Sequence, residues 1–265
     1  MTRRTLKLGA VLVGVGGPGQ HHTWLSPEIP ATPASTSAGT SPAPSRRGGR
    51  LRPRLIVDSQ FITPDSPHHY LNRLEPLTLL SAVAVHTTHI GLVGTLTTSY
   101  NDPFNIARRL ASLDLISGGR AGWNVVATGD GGTAGNYGRT EHYDYATRYG
   151  RALEHVRVVQ GLWNSYEEDA FPRDREAGVF FDRTKLHALN HVGEYFQVVG
   201  PLNIERSPQG QPVIFQAGDS DEGRDLGAAI ADAIFTHAQN VEQGVAFAKD
   251  IRPARPRRGA TRSRS

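Results

Sequence analysis

No cysteine occurs in the 265-residue chain. That absence excludes a disulfide framework and a thiolate-ligated metal site, and it suits a reducing compartment, so a cytoplasmic location is expected. A membrane-spanning run is also missing from the N-terminus. In "MTRRTLKLGAVLVGVGG", residues 1–17, the apolar run is about nine residues, against the roughly twenty a bilayer requires. The paired arginines hint at twin-arginine export. However, the run leads into "PGQHHTW" without a small-residue cleavage pattern, and a first β-strand is the simpler reading. No membrane association is expected.

Positive charge is scarce where a nucleic-acid surface would need it. The formal net charge is +4, but residues 46–54 hold five arginines and residues 252–264 hold six, with no acid in either stretch. Setting those eleven aside from the 29 Lys and Arg leaves 18 against 25 Asp and Glu. The body of the chain is acidic, and no nucleic-acid partner is expected. No metal site is expected either: the adjacent His21 and His22 lack the i, i+4 geometry of a helical ligand pair, and no third ligand stands out.

What is present is an alternation of strand-like and helix-like segments. "RLIVDSQF" is a short apolar run. "EPLTLLSAVAVHT" has helical apolar spacing, with Pro76 placed in the first turn. "HIGLVGTLTTSY" is β-branched. "DPFNIARRLASLDLISGG" is a helix opened by Asp102-Pro103 and closed by Gly118-Gly119. "RAGWNVVATG" is a further strand, and "HYDYATRYGRALEHVRVVQGLW" places Tyr145, Tyr149, Ala152, Val156, Val159 and Trp163 on one helical face. Residues 164–210 form an irregular excursion whose "GEYFQVVGPLNI" reads as a hairpin or lid. "PVIFQAG", "SDEGRDLGAAIA", "AIFTHA" and "VEQGVAFAKDI" complete a strand–helix–strand–helix run. This spacing implies parallel β/α units. The six strands counted fit a (β/α)8 barrel that is two units short.

In such barrels the chemistry gathers at the C-terminal ends of the strands. Those ends supply His21 and His22, Asp58, Thr95 through Tyr100, Asn124, and Gly218 to Ser220. Thr and Ser hydroxyls are good partners for the carbonyls and ring nitrogens of a heterocycle. In "QAGDSDEGR", Ser220 opens a helix whose unsatisfied N–H groups could receive a phosphate. The same residues also read as a plain N-cap with Asp221 and Glu222 favoured by the helix dipole, and with Asp219 these carboxylates would repel a phosphate.

The string "LEPLTLLSAVAVHTTHIGLVGTLTTSYNDPFNIARRLASLDLISGGRAGWNVV" resembles the bacterial luciferase-like superfamily. It is most similar to the branch containing nitrilotriacetate monooxygenase, pristinamycin IIA synthase and dibenzothiophene sulfone monooxygenase. "RYGRALEHVRVVQGLWNSYEEDAF", "FDRTKLHALNHVGEYFQVVGPLNIERSPQGQPVIFQAG" and "SDEGR" continue the resemblance over residues 4–30 and 55–251. The resemblance implies a TIM barrel with insertions and an enzyme that uses reduced FMN and O2 to oxygenate a small organic substrate. It further implies a separate NAD(P)H-dependent flavin reductase as partner, and a homo-oligomer when full length. It assigns Asp58, Thr95 and Asn124 to the flavin ring and Tyr149 and Ser220 to the phosphate side. Tyr145 stands where many relatives have a histidine. Tyr145 and Tyr149, spaced i, i+4, can face one cofactor. His21, His22 and Tyr100 are the candidate catalytic residues. A deazaflavin-dependent hydride-transfer enzyme is the alternative within the superfamily, which the "GWNVV" and "GPLNI" strings disfavour.

Against that pattern, residues 31–54 and 252–265 stand apart as runs of Arg, Pro, Ala, Gly and Ser, where relatives carry an amphipathic first helix and well over a hundred further residues. Such runs are what a GC-rich gene yields out of frame, and two reading-frame slips are the expectation, a natural linker and basic tail the alternative. The resulting organisation is one barrel domain over residues 1–251, atypical at 31–54, with a basic tail at 252–265. First helix and C-terminal units would be altered or missing. An incomplete barrel of this kind is expected to expose unpaired strand edges and to bind flavin weakly, as a poorly catalytic remnant of such an enzyme.

Overall fold

The computed structural model describes residues 10–12, 25, 27, 53–71 and 73–254. His21 and His22, nearly all of the atypical 31–54 segment and the tail beyond Ala254 lie outside the described residues. The backbone elements in chain order are β1 (Ala10–Leu12), β2 (Pro53–Ile56), α1 (Pro76–Val85), β3 (Gly91–Thr97), α2 (Pro103–Ser117), β4 (Ala121–Val126), α3 (Tyr145–Leu162), β5 (His191–Val192), β6 (Gln197–Val198), β7 (Val213–Gln216), α4 (Asp221–Ile230), β8 (Ala233–Ile234) and α5 (Val241–Ala254).

Six strands form one parallel sheet in the order β1-β2-β3-β4-β7-β8. Each strand lies beside its predecessor in the sheet, without the reversal that marks a doubly wound fold, so the sheet winds in one direction as an arc of a β/α barrel. The strand ladder begins earlier than the sequence pattern suggested. Pro53 and Arg54, inside the segment set apart as atypical, already pair with Gly91 and Leu92. A proline is tolerated there because it is the first residue of its strand. The short β5 and β6 pair antiparallel, which confirms a hairpin inside the 164–210 excursion.

Local signals explain the helix boundaries. Glu75 caps α1 by accepting from the Thr78 N–H at 2.6 Å, with Pro76 as first helical residue. Asp102 caps α2 through the Phe104 N–H, and Gly118 ends it at φ 67°, a left-handed conformation that favours glycine. Arg120 then ties the bottom of the α1–β3 unit to α2. It donates to the carbonyls of Ser117, Ile90, Ala84 and Thr87 and to the Thr87 hydroxyl, satisfying backbone acceptors where α1 ends.

The core lies between the sheet and the helices. From Leu92 to Thr97, β3 is buried on both faces, as parallel sheets covered by helices require. Trp123 on β4 is fully buried and donates its indole N–H to the Leu96 carbonyl. In the same buried cluster lie Ile106 and Leu110 of α2 and Val156, Val159 and Leu162 of α3, all fully buried. Each such aliphatic side chain contributes roughly 1.5–3 kcal/mol by leaving water. Asp114 of α2 is an internal tie: it accepts from the Ala121 N–H, from Gln209 Nε2 and from Ser207 Oγ, so α2, β4 and the 205–209 loop meet on one carboxylate. Glu154 of α3 does the same for the hairpin, accepting from His191 Nε2 and the N–H groups of Tyr195 and Phe196. No helix among the described residues is long and apolar enough to cross a membrane.

Candidate active site

The parallel register sets which side chains meet at the C-terminal ends of the strands. Thr95 and Asn124 are directly opposite on β3 and β4, and Asn124 Nδ2 donates to Thr95 Oγ1 at 3.0 Å. Both are buried, and Asn124 Oδ1 has no hydrogen-bond partner among the described residues. A buried acceptor left unmet costs free energy, and such atoms gather where a ligand completes them. One level higher, Thr97 and Thr128 share a hydroxyl–hydroxyl bond, while Ser99 Oγ accepts from the Thr128 N–H. Asp58, just beyond β2, lines a cleft of about 210 Å³ with Thr95, Thr97, Thr128, Asp130 and Thr133. Burial pushes the Asp58 carboxyl above the ordinary carboxylate range, against hydrogen bonds from the Ser59 N–H and Gln60.

The wall of the cleft continues through the 3-10 segment Gly131–Tyr137. Asn136 and Tyr137 both hold Gln60, at its backbone and side-chain oxygens, and Tyr137 stacks on Tyr100 with centroids 4.9 Å apart. Tyr100 hydrogen-bonds His142 Nδ1, and His142 Nε2 reaches the Thr128 carbonyl at 2.9 Å. A carbonyl can only accept, so Nε2 carries the proton and, in the neutral ring, the Tyr100 hydroxyl donates to Nδ1. His142 was not singled out in the sequence. Only its position just before the α3 cap Asp144 could have marked it, and that says nothing of the contact with Tyr100 across 42 residues.

The second group of expected residues meets between α3 and α4. Tyr149 and Ser220 hydroxyls lie 3.4 Å apart, and the Tyr145 and Tyr149 rings are 5.0 Å apart. Ser220 is the N-cap of α4, accepting from the Gly223 N–H at 3.1 Å. This approach needs two glycines: a Cβ on Gly218 would sit 2.7 Å from the Gly223 Cα, and one on Gly223 would sit 2.9 Å from the Gly218 Cα. Two of the three acidic residues that argued against an anion here, Asp219 and Asp221, are themselves paired. Asp219 binds His237 Nδ1 and Asp221 binds Arg224, which also reaches Asp250. Arg148 links the two groups, because it neighbours Tyr149 on α3 and donates to the Thr128 carbonyl at 2.5 Å.

The structure therefore brings Asp58 and Thr95 to one cleft, with Asn124 hydrogen-bonded to Thr95; it brings Tyr145, Tyr149 and Ser220 together and places Tyr100 on His142. Among the described residues no group of three or more His, Asp or Glu is placed to hold a metal ion. Hydroxyls, an amide with an unmet acceptor and a hydroxyl-capped helix N-terminus suit a heterocycle bearing an N–H donor and a phosphate, and FMN has that composition.

Over 253 residues the chain is 46% identical to N-acetyl-S-(2-succino)cysteine monooxygenase of Bacillus subtilis, covering 94% of this chain and 56% of that protein. Over 179 residues it is 50% identical to nitrilotriacetate monooxygenase component A of Aminobacter aminovorans, covering 68% and 40%. The crystal structure of riboflavin lyase (RcaE) with modified FMN and its substrate riboflavin superposes with a TM-score of 0.72 at 34% identity, covering 77% of this chain and 48% of that one. The chain thus spans about half the length of the curated relatives it matches. Residues 59–264 match the luciferase-like monooxygenase family, and with a relative this similar over nearly its whole length the chain belongs to that family.

Proposed function

We propose that this chain carries the flavin-binding part of an FMNH2-dependent monooxygenase that oxygenates a small organic substrate with O2. A separate NAD(P)H-dependent flavin reductase supplies the reduced cofactor. The observation that carries the reading is the buried Asn124 Oδ1, an acceptor without a partner held beside Thr95 at the ends of β3 and β4. Asn124 and Thr95 would bind the ring's polar edge, Asp58 would line the same cleft, and Tyr145, Tyr149 and Ser220 would hold the phosphate. When bound, reduced flavin supplies the electrons that activate O2; the protein's part is to bind, orient and keep water out. Tyr100 and His142 form a hydrogen-bonded pair behind Thr128 that fixes the wall of the cleft and holds a proton between phenol and imidazole. Two relatives are named as parts of larger systems: one is a component of nitrilotriacetate monooxygenase, and pristinamycin IIA synthase has two different subunits. Those names support a partner protein.

The test is anaerobic titration of the protein with FMNH2 and with reduced deazaflavin, followed by O2 uptake with a partner reductase and a substrate panel. FMNH2 binding that weakens in Asn124→Leu, with substrate-dependent O2 uptake, is the expected result. Tight binding of the deazaflavin alone would overturn it.

A further inference from the structure

Two tyrosines stand in ring contact behind the cleft wall, each with its hydroxyl placed. Tyr100 and Tyr137 stack with centroids 4.9 Å apart and planes 9° apart. The Tyr137 hydroxyl donates to Gln60 Oε1 at 2.9 Å, and Gln60 lines the cleft. The Tyr100 hydroxyl sits on His142 Nδ1, while His142 Nε2 donates to the carbonyl of Thr128, another residue of the cleft lining. Tyr137 is also 43% exposed, so the stacked pair connects the cleft wall to solvent.

Packing alone would be served by two phenylalanines. What the hydroxyls add is one-electron chemistry. Burial pushes both phenols up, so each holds its proton at neutral pH. An electron leaves such a phenol readily only when the proton leaves with it, because the oxidised phenol is a strong acid. Tyr100 has a base in place for that proton. With Nε2–H committed to Thr128, Nδ1 presents its lone pair. Taking the proton makes His142 an imidazolium whose two N–H groups both keep an acceptor, the Thr128 carbonyl and the Tyr100 oxygen. Tyr143, 6.0 Å from Tyr100, is a poorer next step. The guanidinium carbons of Arg139 and Arg151 lie 3.9 and 5.3 Å from its ring centroid, and two cations at that range oppose loss of an electron. The Arg139 charge also reaches Tyr100, but there it favours departure of the proton, which offsets its opposition to loss of the electron.

We propose that Tyr100, His142 and Tyr137 form a redox relay that carries one-electron oxidising equivalents from the cleft wall to the surface. This goes beyond the monooxygenase reading and rests on it only for the source of the oxidant, an oxygen radical released when O2 is reduced without reaching a substrate. The oxidant takes one electron from Tyr100, and the phenol proton moves to His142 Nδ1, leaving a neutral phenoxyl radical. Tyr137 refills Tyr100 with one electron across the stack. His142 then returns its proton to Tyr100, and exposed Tyr137 releases its own to water. A small thiol or ascorbate at the surface gives one electron to Tyr137, which recovers a proton from water. One oxidant is reduced, one reductant is oxidised, and the chain is unchanged.

The experiment uses the full chain without flavin, photo-oxidised by ruthenium tris(bipyridine) with persulfate as electron acceptor and read by electron paramagnetic resonance. The expected result is a tyrosyl radical with one exchangeable proton coupling that disappears in D2O. That coupled signal is lost in Tyr100→Phe and in His142→Leu. Tyr137→Phe retains it but slows its decay under ascorbate. Absence of the coupled signal in the wild type would overturn the relay, as would the same signal in Tyr100→Phe with wild-type circular dichroism and melting. Should the Tyr100 or His142 variant fail to fold, the exposed Tyr137→Phe decides, and a decay under ascorbate equal to that of the wild type overturns the path. Failure of the flavin reading would show separately, as absence of FMNH2 binding, while the photo-oxidation needs no flavin.

Discussion

Asn124 donates to the Thr95 hydroxyl at 3.0 Å while its own Oδ1, equally buried, accepts from no group among the described residues. The pair is a rigid amide edge presented by two adjacent parallel strands. Asn124→Leu removes the unmet acceptor together with the donor to Thr95, so its thermal midpoint stays near that of the wild type. Its FMN affinity falls about tenfold, the worth of one hydrogen bond to a buried partner. Flavin fluorescence quenching and a thermal melt on the same samples test both halves.

Asp58 is expected to trade stability for function. Burial is the largest influence on its carboxyl and raises its pKa in the folded state. A raised carboxyl stabilises the fold most when protonated, below its ordinary value of 3.8, and that stabilisation is lost as pH rises through the folded value. Asp58→Asn cannot ionise, so it raises the thermal midpoint at pH 7, with a gain that shrinks as the pH is lowered toward 3.8. Flavin affinity falls in the same variant. A midpoint that is lower at pH 7 than in the wild type would contradict the burial argument.

His155 sets an acid limit on the core. It is fully buried on α3 between Trp123 and Phe196, its Nε2–H donates to the Asn101 carbonyl, and desolvation lowers its pKa from 6.5 to about 3. A depressed histidine contributes stability that is complete above pH 6.5 and is lost as pH falls toward 3. The slope in that window is about 1.4 kcal/mol per pH unit for one proton. Asp58 and Asp114, both raised by burial, act in the opposite sense as pH falls through their folded values. His155→Gln removes the titration, so urea midpoints measured from pH 7 to 4 should fall less steeply than in the wild type. Parallel slopes would show that His155 does not set the acid limit.

Asp114→Ala is expected to cost about 2–4 kcal/mol, because three donors from β4 and the 205–209 loop lose a shared buried acceptor. Asp114→Asn recovers only part of this loss, since its NH2 would face a donor. Equilibrium urea unfolding ranks the two variants, and increased proteolysis confined to residues 205–210 would show where the fold opens.

Arg120→Lys tests geometry apart from charge. Arg120 spreads its donors over four backbone carbonyls and the Thr87 hydroxyl, and an ammonium cannot span that set. A loss of roughly 1–3 kcal/mol in stability is expected even though the charge is retained. An unchanged urea midpoint would reduce Arg120 to a simple helix-dipole partner.

Much of the architecture was readable along the chain. Pro76 and Asp102-Pro103 open α1 and α2 where the pattern placed them, Gly118 closes α2, and Ser220 caps α4. The site was readable in part. Asp58 and Thr95 share a cleft and Asn124 bonds Thr95, while Tyr145, Tyr149 and Ser220 meet. The objection to an anion near Ser220 did not anticipate that His237 and Arg224 engage Asp219 and Asp221. The partner of Asp219 lies on the neighbouring strand's end, 18 residues away, where no local pattern reaches. The start of β2 was also placed one residue late, because Pro53 looks like the preceding arginine-rich run and is recruited to the ladder only by β3.

The sequence by itself determined the alternation of strands and helices, their caps and the family, because each depends on apolar period and on contacts within a few residues. Tertiary structure alone decided which polar groups meet. Thr97 reaches Thr128 across 31 residues, Tyr100 reaches His142 across 42, and Tyr149 reaches Ser220 across 71. Those encounters follow from the register of a parallel sheet wound in one direction, with the N-terminal part of α3 reaching the residues that follow its strands. The meeting of Arg139 and Arg151 on the Tyr143 ring arises in the same way, from how the loop before α3 folds back on that helix.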